Sequence, residues 1–232
     1  MKAIKVNGLF IGKAKEIGVG LTSATDKQPI NHRLWLWPQG LGSDEQGDMR
    51  FHGGPERVLH HYPAEHYAHW KRVLPQLDWQ APDFGENLST YGLLENRVCI
   101  GDVFRWGDAL LQVSQPRSPC YRLSHRSGIA EMPQWAQESG RFGWYYRVLK
   151  AGFVSPENAL QLVQRNNPGL TVAQAIRSFY QAPLERAGLQ QLVSCHDLSV
   201  RWRDTAARRL ATGRIEDWSA RLYGQAPEGL RA

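Results

Sequence analysis

Three stretches of the chain place reactive and hydrogen-bonding side chains among glycines and prolines, where a plain core would not. The first is "QVSQPRSPC", Gln112 to Cys120. Pro116 and Pro119 each fix a φ angle and favour extended backbone in the residue before, so the loop is partly ordered without a ligand. It ends on Cys120, a thiol with Arg117 three residues earlier. The thiolate is the nucleophilic and metal-binding form of cysteine, and a nearby cation favours it. The bland alternative is a small buried side chain.

The second stretch is "RFHGGPERVLHHY", Arg50 to Tyr62. Gly53 and Gly54 have no Cβ, which permits a tight turn and a close approach of backbone to a ligand. His52, Arg57, His60 and His61 surround that turn. The third is "FGENLSTYGLLE", Phe84 to Glu95, in which Glu86, Asn87, Ser89 and Thr90 crowd polar groups after Gly85. Loops of this composition can turn backbone N–H groups inward and hold an anion.

Other chemistries find less support. Cys99, between Val98 and Ile100, reads as an inert core residue in a strand, and Cys195 as structural. There is no CxxC pair, and the three cysteines are an odd, sparse set, which fits a reducing compartment better than a disulfide framework. A zinc hydrolase built on His52, His60 and His61 is disfavoured, because His60 and His61 are adjacent and face opposite sides of a strand. The net charge of +6 includes a local excess in "VRWRDTAARRLATGR". Arg201, Arg208 and Arg209 there could meet nucleic-acid phosphates. No stacking set or recognition-helix pattern accompanies them, and a solvated basic helix face is the better explanation.

The elements that must position these residues are readable from period and punctuation. Residues 1 to about 155 alternate like short strands separated by Gly, Pro, Asn and Asp. "RWGDALLQV" predicts a hairpin with Gly107-Asp108 at its tip, and Val113 closes its second strand. Two helices interrupt this part, one over "YPAEHYAHWKRVLPQL" from Tyr62 and one over "MPQWAQESG" stopping at Gly140. From residue 168 the period becomes helical, with Thr171 as a cap and Gly213 as a stop. A boundary at "QRNNPG", 164–169, divides the chain into a β-rich unit, 1–165, and a bundle of about three helices, 166–232. With 42% apolar residues and nine tryptophans, a large core is expected. No apolar run reaches membrane-spanning length, and the N-terminal apolar stretches are too short for a signal peptide, so the expected compartment is the cytoplasm.

Taken in order, "HGGPERVLHHYPAEHYAHW", "FGENLSTYGLLE" and "VCIGDVFRWGDALLQVSQPRSPC" resemble the MOSC family, named after the C-terminal domain of molybdenum cofactor sulfurases, and within it the YiiM type of hydroxylaminopurine-resistance protein. The likeness runs from about residue 8 to about 224. It implies a mainly β fold with added helices: a MOSC-type β-barrel followed by a small three-helix domain. It also implies a bound molybdenum cofactor (molybdopterin), with the metal ligated by Cys120. A soft thiolate suits a metal already held by sulfur.

The implied activity is reduction of N-hydroxylated compounds such as 6-hydroxylaminopurine, with His52 or His61 as proton donor. Arg57 and Arg117 would hold the pterin phosphate. Gly53, Gly54, Glu86, Asn87, Gln115 and Ser118 complete the expected cofactor-binding set. No GxGxxG fingerprint or iron–sulfur cysteine set is present, so an external electron-donor reductase is expected as partner. A homodimer is compatible with the resemblance. A different role in the same family is sulfur carriage, with Cys120 as a persulfide and no catalysis of its own.

Overall fold

A computed structural model of the chain describes residues 3–18, 21–47 and 53–224. The strands are β1 Val6–Ile11, β2 Lys15–Gly18, β3 Leu21–Ser23, β4 Gln28–Pro29, β5 Leu34–Trp37, β6 Gly40–Leu41 and β7 Leu59–Pro63. They continue with β8 Leu88–Thr90, β9 Val103–Trp106, β10 Ala109–Pro116, β11 Trp144–Lys150, β12 Gly152–Val154 and β13 Leu160–Gln164. Eight of them form one curled mixed sheet in the order β13-β9-β10-β11-β7-β8-β1-β4. A pair of hydrogen bonds between Ile4 and Leu160, 2.8 Å each, draws the segment before β1 onto β13 and closes the curl towards a barrel. Among the described residues, only β7 and β8 run parallel within that sheet. A parallel pair needs a crossover, and helix α1, Glu65–Val73, lies on it.

Residue chemistry accounts for the elements. Trp106 pairs with Ala109 across a two-residue turn, Gly107-Asp108, and Gly107 has φ +56°. β9 and β10 therefore form the expected hairpin. β10 runs three residues past Val113, however. A register shift against β11 between Val113 and Gln115 lets the strand continue, and Pro116 ends it opposite Trp144. Tyr62 and Pro63 belong to β7 and not to the following helix, because their backbone is committed to pairing with Ser89 and Thr90. Cys99 is buried as expected, but it makes an isolated bridge to Thr171 and is not part of a strand.

Two further helices, α2 Arg122–Ser127 and α3 Met132–Ser139, follow the Cys120 loop. α2 has six residues and one leucine, so it carries no apolar period in the sequence and is not expected from it. The C-terminal part holds α4 Val172–Ile176, which runs on into a π-helical turn over Arg177–Gln181, then α5 Arg186–Ser194, α6 Val200–Thr212 and α7 Ser219–Tyr223. Thr171 opens α4 with a capping box: its side chain accepts from Gln174 N and the Gln174 side chain accepts from Thr171 N. Gly213 closes α6 at φ +63°.

The apolar core is continuous across the two regions. Val113, Trp144 and Tyr146 of the barrel pack in one cluster with Ile176, Phe179, Leu189, Trp202 and Ala206 of the helices. A second cluster, built on Tyr62, Trp70, Phe84, Leu123 and Met132, fixes α1, α2 and α3 against the sheet. Among the described residues, no helix is long and apolar enough to cross a membrane.

Candidate functional site

β10, β11, β7 and β8 are neighbours in the sheet, and their adjoining ends bring the distant stretches together. Tyr145 on β11 lies opposite His60 on β7 and Gln115 on β10. Asn87, just before β8, exchanges hydrogen bonds with His60: its N–H donates to His60 O (2.9 Å), and its Oδ1 accepts from His60 N (3.1 Å). Beyond Pro116 the chain leaves the sheet. Arg117 N donates to Gly143 O (3.1 Å), and Cys120 O accepts from Leu123 N (2.9 Å) as α2 begins. Cys120, 5% exposed as a residue, is thereby placed between a strand end and a helix start.

Tyr145, His60, Asn87, Arg117 and Cys120 line one open cleft. Its cationic side chains are Lys27, Arg57, Arg117 and Arg122, against the carboxylates Asp44 and Glu45. Cys120, His60, Asn87 and Tyr145 complete the chemistry of the walls. Arg117 is 6% exposed, and its Nη1 is buried without an acceptor from the described residues. A buried guanidinium N–H with no partner is costly, and a ligand oxygen would relieve it. Burial pulls Arg57 below the ordinary guanidinium range. Tyr145 opposes this, Arg201 adds to it, and Tyr180 and Cys120 oppose it.

One wall is an ion pair that the sequence reading does not find. Lys27 Nζ and Asp44 Oδ1 meet at 2.5 Å with both side chains 6% exposed. Asp44 also accepts from Gly12 N (2.7 Å) and Asn87 Nδ2 (2.8 Å). Burial lowers the Lys27 pKa, with the Asp44 charge opposing. Nothing local in "TDKQPI" or "GSDEQG" marks this pair, since its partners are 17 residues apart and belong to separate segments.

The two adjacent histidines diverge as alternation requires. His60 faces the cleft, and its Nε2–H donates to Phe142 O (3.1 Å), which leaves Nδ1 as the acceptor of a neutral ring. Burial, reinforced by Arg117, holds its pKa well below the usual value. His61 does not reach the cleft. It is fully buried on the other face, hydrogen-bonded to Thr90 Oγ1 (2.9 Å) and Tyr146 OH (3.1 Å) and stacked on Trp144. Burial brings its pKa down to about 3, so its ring is neutral at neutral pH.

The other expected site residues divide in the same way. Arg57, Asn87, Arg117 and Cys120 come together in the cleft. Glu86 lies fully buried beside it, where Tyr67 OH donates to its Oε1 (2.6 Å) and burial raises its pKa to about 7. Gln115 is buried in β10, and Ser118 accepts from Tyr180 OH (2.7 Å). Gly53 and Gly54 lead into a 3-10 turn, Pro55–Arg57, that aims Arg57 inward. Gly54 is needed for its φ of +98°; a Cβ there would meet nothing within 4 Å. His52 lies outside the described residues.

Residues 48–161 match the MOSC domain family, and residues 170–213 match the YiiM-like, 3-alpha helix domain. The chain is 43% identical to protein YiiM of Escherichia coli over 219 residues, 94% of this chain and 97% of that protein. It is 34% identical over 163 residues to a protein of Gibberella moniliformis named a reductase, covering 69% of this chain and 29% of that one. The crystal structure of YiiM from Escherichia coli aligns with a TM-score of 0.83 at 38% identity, covering 97% of this chain and 100% of that one. YiiM from Geobacillus stearothermophilus aligns at 0.77 and 33%, covering 89% and 99%.

Proposed function

Because the chain belongs to the MOSC family, in its YiiM-like form with an appended 3-alpha helix domain, we propose that it is a molybdenum-cofactor-dependent reductase of N-hydroxylated compounds. The single observation that carries this reading is the convergence of Cys120 with Arg57, Arg117, Arg122 and Lys27 in one cleft. A soft thiolate among cations suits a sulfur-bound metal carried on an anionic pterin. The acceptor-less Nη1 of Arg117 supports a ligand oxygen at that place. The relative named a reductase agrees in reaction class.

When bound, the cofactor supplies a metal that exchanges two electrons with the substrate. The protein supplies binding, orientation and protons. Cys120 would ligate the metal, Arg57 and Arg117 would hold the phosphate, and Asn87 would shape the floor. Lys27 is held in the wall by its ion pair with Asp44.

The reaction converts an N-hydroxyl group, two electrons and two protons into an amine and water. Neutral His60 and His61 are poor proton sources near pH 7. His61 enters as support for Thr90 and Tyr146, and His52 stays in the proposal as a proton donor. Glu86 is a second candidate reservoir, since a carboxyl titrating near 7 is still partly protonated there. The electrons come from a separate reductase protein.

The test is metal analysis of protein from a molybdate-replete host, with reduction of 6-hydroxylaminopurine by a chemically reduced viologen dye. Stoichiometric molybdenum in the wild type is expected, with activity lost in Cys120→Ser. Sulfane sulfur on Cys120 in protein without molybdenum would overturn the reading in favour of sulfur carriage.

A further inference from the structure

We propose that the C-terminal helices brace the Cys120 loop, with Tyr180 and Arg221 as its positioning residues. Residues 117–120 have no regular structure, and Pro119 offers no N–H for a turn of its own. The residues on either side of Cys120 are tied instead to the helical region. Tyr180 OH donates to Ser118 Oγ at 2.7 Å. Arg221 Nη1 donates to Pro119 O, and Tyr121 N donates to Arg221 O at 2.9 Å. Arg221 also reaches Gln137 Oε1 of α3, so its guanidinium spans the loop and the helix packed behind it.

The backbone around Tyr180 is irregular in a way that serves this contact. Ser178, Phe179 and Tyr180 are all buried. In a regular α-helix successive residues turn by about 100°, and three in a row do not share one face. The π-helical turn over Arg177–Gln181 widens the helix where they occur, and such turns concentrate at functional sites. Tyr180 is then held by Phe142 (5.9 Å), Trp202 (5.8 Å) and Trp218 (5.5 Å), with the Arg221 guanidinium over its ring at 5.3 Å. A rigid aromatic cage thus points one hydroxyl at the loop. The consequence for metal ligation rests on the proposed function. The brace itself does not, and supporting groups of this kind set how accurately a ligand is aimed.

Cys99 and Cys195, 2% and 4% exposed, are internal reporters of global loosening. The full chain, purified from a host unable to make the molybdenum cofactor, is treated with N-ethylmaleimide, and the rate at each cysteine is followed by peptide mass mapping. Tyr180→Phe and Ser118→Ala are each expected to speed Cys120 alkylation about 3- to 10-fold, the range one net hydrogen bond allows. Cys99 and Cys195 should not change, and the double variant should exceed neither single. Arg221→Met is an independent arm with the same expected pattern. An unchanged Cys120 rate in all variants, a parallel rise at all three cysteines, or additive single effects would each overturn the brace. Wild-type protein that lacks molybdenum even when purified from a molybdate-replete, cofactor-making host, together with the expected alkylation pattern, would remove the metal role and leave the brace standing.

Discussion

Lys27 and Asp44 meet at 2.5 Å inside the wall of the cleft, and Asp44 is the residue through which Asn87 and the backbone of Gly12 are also held. Breaking a buried pair on one side leaves an uncompensated charge, at a cost of about 3–5 kcal/mol. Asp44→Ala is expected to reach the upper end of that range, because three donors lose their acceptor. Lys27→Met should cost less than Asp44→Ala, since it leaves Asp44 two of its donors. Urea denaturation of both variants checks the order, and equal small losses would contradict it.

Gly143 and Gly54 both have positive φ, yet they should respond very differently to alanine. At Gly143, with φ +68°, a Cβ would lie 1.9 Å from His61 O and 3.3 Å from His60 Nε2. Its carbonyl also accepts from Arg117 N, so any shift passes directly to the cleft. Gly143→Ala is expected to lose more than about 3 kcal/mol, or not to fold. Gly54→Ala meets only backbone strain, on the order of 1–3 kcal/mol. Denaturation midpoints compare them, and a Gly54 cost equal to or above that of Gly143 would contradict the geometry.

The buried titratable groups give stability a predictable pH dependence. His60 and His61 have depressed pKa values in the folded protein. Their contribution is present above about 6.5, the unfolded value, and is lost as pH falls below it, for His61 down to about 3. Glu86 is raised to about 7, so its contribution is full below about 4.5 and is lost as pH rises through 7. The effects oppose one another between 4.5 and 6.5. Glu86→Gln removes one of them. The plot of stability against pH should then rise more steeply between 4.5 and 7, by about 1.4 kcal/mol per pH unit relative to wild type. Parallel curves would show that Glu86 does not titrate there.

The sequence discloses the parts of this protein that depend on local chemistry. The Gly107-Asp108 hairpin, the Thr171 cap and the Gly140 and Gly213 helix ends all act within a few residues, and all are readable. The proline-stiffened loop ending on Cys120 belongs to the same class. Features that depend on distant partners are not readable. Alternation separates His60 from His61 but cannot say which one faces the cleft; that is settled by β11, where Trp144 stacks on His61 and Tyr145 lies opposite His60. The Lys27–Asp44 pair and the Tyr180–Ser118 contact join segments with no mutual signal in sequence. Helix α2 is missed because its packing surface is a single leucine, Leu123, completed by residues from α1 and α3.

The central claim is that the thiolate of Cys120 binds molybdenum. X-ray absorption at the molybdenum edge, on cofactor-loaded wild type and Cys120→Ser, tests it most directly. Wild type should show a sulfur donor from the protein in addition to the cofactor's own dithiolene pair, and the variant should lose that donor. Identical sulfur coordination in the two proteins, with molybdenum fully retained, would contradict the account.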